Sequence, residues 1–147
     1  MLRRFTAALL LIPISVFCAG DALMTSDGSA RFIAALRAYD GANFKLAAAL
    51  LEPLTTSAPE CARCAHLLGK SYGRMAQQAS WLKAMKLARQ TLAALEVAAE
   101  LAPENSEMLE DLMKFYRTAP GFLGGSEEKA DALDMRLQAL SHEQPGS

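Results

Sequence analysis

A chain of 147 residues is long enough for one domain with a buried core. Its 52% apolar content excludes a disordered polymer, and its formal charge of −1 argues against a strongly basic nucleic-acid binder. The charge is unevenly placed. Residues 60–90 hold Arg63, Lys70, Arg74, Lys83, Lys86 and Arg89 against Glu60 alone. Residues 91–128 carry eight carboxylates against Lys114 and Arg117.

Residues 1–22 read as a secretory signal peptide. Arg3 and Arg4 provide the positive start, Phe5 to Phe17 the apolar stretch, and CAGDA a small-residue site with cleavage after Gly20 or Ala22. The stretch spans about 13 residues, whereas crossing a bilayer takes roughly 20. No later segment is apolar enough, so no stable membrane span is expected after cleavage, and a periplasmic or secreted location follows. Cys18 stands where a lipoprotein cysteine would, but that signal needs a small residue before it and Phe17 is bulky. Lipidation is not expected.

Helical patterning begins near Gly28. GANFKLAAALL announces a second helix with Asn43 as its N-cap. Pro53 lies inside that helix and should kink or shorten it. Pro59 and the pair Cys61–Cys64 follow, then LLGKSY, Leu67 to Tyr72. Ser80 is a candidate N-cap for a long helix in which Trp81, Met85, Ala88, Leu92, Leu95 and Ala99 recur at steps of three and four. ALEVAAELAPEN ends it at Pro103. From Ser106, Leu109, Leu112 and Tyr116 share a face. TAPGFLGG then breaks the chain before a last helix near Ser126 and a flexible tail over 143–147.

Leu68, Gly69 and Tyr72, at the spacing L-G-x-x-Y, resemble the first helix of a tetratricopeptide (TPR) repeat, a helix–turn–helix unit of about 34 residues. Three stretches align in that register: 28–61, 62–105 and 106–142. Ala35, Ala47, Leu51 and Pro59 match in the first, although Arg31 stands where an apolar residue is usual. Leu95, Ala98 and Pro103 match in the second, which is stretched by about ten residues. In the third, Leu109, Leu112 and Tyr116 match, and Ala130 comes five residues late because of TAPGFLGG. The pairing of LGKSYG with YRTAPGFLGGSEEKA is similar to a group of small exported bacterial repeat proteins. The resemblance implies an all-α, right-handed helical-repeat stack of about six helices, one of them unusually long.

The resemblance also implies a concave groove lined by the first helix of each repeat. Its facing positions are Phe32, Leu36, Tyr39 and Asp40, then Arg63, His66, Lys70 and Arg74, then Glu107, Glu110, Lys114 and Arg117. The basic four lie on one helix face and suit a carboxylate or an acidic segment. The apolar trio would take a hydrophobic side chain, or else belong to the core.

CARC reads first as a local disulfide in an exported chain. Thioredoxin-type chemistry needs a strand-to-helix junction, and no strand pattern is visible. His66 falls one residue late for haem attachment. Zinc would have Cys61, Cys64 and His66 but no fourth ligand. No hydrolase, metalloprotease or nucleotide-binding motif occurs, so neither enzyme activity nor a cofactor is expected. Nucleic acid is not expected either. In TAPGFLGG, glycines before a helix suggest an anion cradle, but Glu127 and Glu128 occupy the first turn of that helix. Pro120, Gly121, Phe122, Leu123, Gly124 and Gly125 are therefore expected to form a structural plug, with Phe122 and Leu123 covering the end of the stack.

The expected function is non-enzymatic binding of a protein or peptide in the bacterial cell envelope, as an adaptor or scaffold. An accessory solute-binding component of a transport or envelope-assembly system is an alternative. A redox protein using Cys61 and Cys64 is another.

Overall fold

A computed structural model describes residues 25–143. The expected leader, with Arg3, Arg4 and Cys18, lies outside the described residues. So do residues 144–147 of the expected tail, whose first residue, Glu143, is helical. The described chain is all-helical: α1 (Ser26–Asp40), α2 (Phe44–Ser57), α3 (Ala62–Gln77), α4 (Trp81–Leu101), α5 (Ser106–Thr118) and α6 (Glu127–Glu143), with a 3-10 turn at Gly121–Leu123 and no strand among these residues. The first four connections are three or four residues long, which makes neighbouring helices antiparallel. Each helix packs on the next in the chain, and α1 also touches α3.

Helix starts are fixed locally. Thr25, Asn43 and Asn105 each accept a hydrogen bond from the backbone N–H three residues on. Ser80 precedes α4 in extended conformation but makes no such bond. Pro53 does not break α2, which continues to Ser57. It removes one N–H late in the helix on an exposed face, where water can satisfy the carbonyl it leaves. The reversal before α2 places Ala42, not Gly41, in the left-handed region, at φ 58°.

Small residues stand where helices meet. Ala35, Ala47, Ala98 and Ala130 have 0% exposure. Gly69 brings α3 so close to α4 that an added Cβ would lie 3.0 Å from Leu95 Cδ2. One core cluster joins α1 to α4 through Phe32, Leu51, Leu54, Cys64, Leu68, Tyr72 and Leu87. A second joins α4 to α6 through Leu95, Leu109, Leu112, Tyr116 and Ala130. Leu51 and Leu109 are fully buried, and each contributes about 1.5–3 kcal/mol over an exposed side chain.

Two expectations need correction. At 21 residues, α4 is only modestly longer than α6 at 17, so no helix stands out as unusually long. Trp81 does not begin a buried stripe. It is 71% exposed, and burial on α4 starts at Leu87.

Candidate functional site

The odd-numbered helices meet along one side. Arg63 lies over the Phe32 ring at 4.9 Å and Lys70 over Tyr39 at 5.9 Å, both linking α3 to α1. Arg74 lies over Phe44 of α2 at 5.2 Å. On the opposite flank, His66 Nε2 donates to Asp111 Oδ2 at 2.8 Å, and Lys70 Nζ reaches Glu107 Oε1 at 3.1 Å. The basic face of α3 is thus held between aromatic rings on one side and the carboxylates of α5 on the other. The opposite charges of the two chain segments are in part an internal match. The rings of Phe32, Tyr39 and Phe44 reach the basic stretch across the fold, and their faces are taken by the protein's own cations.

These contacts shape two clefts that share Lys70. One, of about 230 Å³, is lined by Phe32, Leu36, Arg63, His66, Lys70, Glu107 and Met108. The other, of about 300 Å³, is lined by Tyr39, Lys70, Arg74, Asp111, Lys114 and Phe115. Nine of the twelve expected facing positions line them, whereas Asp40 and Glu110 do not. Arg117 does not: its guanidinium points to Asp131 and Asp134 of α6, at 3.5 and 3.9 Å. The apolar trio is split, with Phe32 in the core, Tyr39 half-buried and Leu36 exposed.

The site contains residues that the expected repeat register passes over, Met108, Asp111 and Phe115. Asp111, not Glu110, meets His66. Two neighbouring carboxylates compete for that place, and only the rotation of α5 decides between them. The His66 hydrogen bond, with Lys70 close by, holds the Asp111 carboxyl below its usual range despite its burial. Burial pulls Lys70 down, but the Glu107 hydrogen bond and the Asp111 and Glu107 charges outweigh it and leave the ammonium raised.

His66, Glu107 and Asp111 bring ligand-type atoms within 4.8 Å of one another. The Lys70 ammonium sits 3.1 Å from Glu107 and 3.8 Å from Asp111, so the cluster already holds a cation of its own. Cys61 and Cys64 form a disulfide and have no thiolates to add to a zinc site.

That disulfide has a second role. Cys61 Sγ accepts from Cys64 N at 3.2 Å at the start of α3, as Asn105 Oδ1 accepts from Met108 N at 3.1 Å at the start of α5. Both cysteines are buried. The pair occupies the place of an N-cap.

TAPGFLGG is not an anion cradle. The N–H groups of Leu123 and Gly125 donate to the Pro120 carbonyl, that of Gly124 to Gly121, and that of Ser126 to Tyr116. Nor is Phe122 a plug, since it is 66% exposed. The loop seats itself through its glycines instead. Gly124 has φ 101° and packs on Leu92 of α4, and a Cβ on Gly125 would fall 1.7 Å from the Ala119 oxygen. Gly121 has open space around it.

No protein-family model, curated protein sequence or solved structure matches the chain.

Proposed function

We propose that the chain is a TPR-like helical-repeat stack that binds an acidic peptide segment or a free carboxylate of a partner protein, with no chemistry of its own. The observation that carries this reading is the pair of clefts meeting at Lys70, built by α1, α3 and α5 from residues that the repeat register points inward. The fold's economy is consistent with it. Helices pack in chain order, and the contact of Tyr72 with Glu52 is repeated by Tyr116 with Glu96 at the same separation of 20 residues. The expected leader supports a place in the cell envelope.

Electrostatics narrows the ligand. Glu107 and Asp111 engage Lys70 and His66, so the cations at the mouth of the second cleft, Arg74 and Lys114, do most of the recognition. A carboxylate placed there gains charge-assisted hydrogen bonds. Leu36 and Tyr39 give a neighbouring apolar side chain somewhere to rest. Burial of both cysteines shields the disulfide from exchange and counts against a redox role.

The test is titration with an acidic peptide bearing a free C-terminal carboxylate. Arg74→Glu with Lys114→Glu, which leaves the Lys70 and His66 network intact, should weaken binding by more than about tenfold. Affinity unchanged by both substitutions would refute the reading.

A further inference from the structure

The first two turns of α4 do nothing for the core. None of the residues Trp81 to Lys86 is buried, and Trp81 and Leu82 are each 71% exposed. These turns belong to the stretch by which the second repeat is too long, so the stack would close without them. On a helix of 3.6 residues per turn, Trp81, Leu82 and Met85 share an arc of about 100°. Arg89 lies within that arc two turns further on, and Lys86 and Lys83 follow on its Leu82 side, all three exposed. The loop Pro120–Gly125 rests on Leu92, on the same side of α4 as Trp81, and carries the exposed Phe122. From residue 61 to residue 95 there is no Asp or Glu at all.

We propose that this projecting end docks on an anionic lipid surface, with Trp81, Leu82 and Phe122 entering the headgroup layer and Lys83, Lys86 and Arg89 meeting lipid phosphates. Exposed Trp and Leu flanked by Lys and Arg are what an interfacial anchor needs, and Trp in particular settles at headgroup depth. Exposure and charge favour lipid. Trp81, Leu82 and Phe122 are exposed, and Lys83, Lys86 and Arg89 lie beside them in a stretch without a carboxylate. A layer of lipid phosphates meets the cations while the apolar side chains enter it. Among the described residues no helix is long and apolar enough to cross a membrane, so the attachment is to one face only.

Trp81 is the only tryptophan of the chain, so its fluorescence reports this spot alone. The full chain is mixed with phosphatidylcholine vesicles, with and without phosphatidylglycerol, some carrying brominated acyl chains. The expected result is a blue shift and bromolipid quenching of Trp81 only when phosphatidylglycerol is present. Lys83→Glu with Lys86→Glu should lower partitioning by more than about tenfold. Leu82→Ala should also weaken it while leaving helicity unchanged, because Leu82 is 71% exposed. Vesicle binding without a change at Trp81 would mean that another segment carries the attachment, and would overturn the proposal. Equal response to neutral vesicles would do the same. So would a blue shift that grows with protein concentration in the absence of lipid, which would assign the surface to a second copy.

Discussion

Tyr72 donates a 2.7 Å hydrogen bond to Glu52 Oε1, and Tyr116 donates a 2.6 Å bond to Glu96 Oε1. Each tyrosine is the large residue late in an odd-numbered helix, and each glutamate follows a buried leucine, Leu51 or Leu95, on the even-numbered helix before it. Burial and the glutamate partner push both phenols above their usual range. Successive helix pairs are thus tied by the same bond.

Removing either hydroxyl should therefore cost about the same. Tyr72→Phe and Tyr116→Phe are each expected to lose about 1–2 kcal/mol, the range for a hydrogen bond to a charged group. The double variant should lose their sum, because the two sites share no partner. Urea unfolding of the three variants checks this. A marked difference between the single variants would show that the two ties are not equivalent.

The cap role of the disulfide separates two double variants. Cys61→Asn with Cys64→Ala restores a side-chain acceptor at the start of α3, and Cys61→Ala with Cys64→Ala does not. The first should be more stable by about 1 kcal/mol. Thermal unfolding under identical conditions reads the difference. Equal midpoints would leave Cys61 no part in capping.

The glycines of TAPGFLGG are not alike. Gly121→Ala meets no neighbour and should change stability by less than about 0.5 kcal/mol. Gly125→Ala drives a methyl into the Ala119 carbonyl and should cost about 2 kcal/mol or more, with the loop displaced from α4. A tolerated Gly125→Ala would show that the loop does not hold this conformation in solution.

The bond between His66 and Asp111 carries a pH signature. The Asp111 carboxyl is depressed in the folded chain, so its contribution is complete above the unfolded value of about 4 and is lost as pH falls through the folded value. Asp111→Asn should then be less stable than the parent at neutral pH, and the gap should close in acid. Denaturant titrations at pH 7 and near pH 3 measure it. A gap that persists in acid would point to packing, not charge.

Local signals account for what the sequence reveals. Asn43 as a cap, the small residues Ala35, Ala47, Gly69, Ala98 and Ala130, and the large Leu68, Tyr72, Leu109, Leu112 and Tyr116 all depend on helix period and side-chain volume, and each is buried or capping as expected. What stayed hidden depends on contacts between distant segments. His66 pairs with Asp111 across 45 residues, and no local pattern separates Asp111 from Glu110. Nothing local joins Glu52 or Glu96 to the tyrosine 20 residues later that donates to it. Trp81 fits the apolar period of α4 but is left 71% exposed, because a periodic pattern does not say whether a neighbour covers it. Arg117 turns to α6 because Asp131 and Asp134 lie within reach there.

Binding in the clefts around Lys70 is tested most directly by mapping amide chemical shifts during titration with an acidic peptide that ends in a free carboxylate. The account predicts saturable shifts at Leu36, Tyr39, Lys70, Arg74 and Lys114, with α6 unmoved. Saturation with shifts confined to α6 or to the start of α4, or no saturable shift at all, would contradict it.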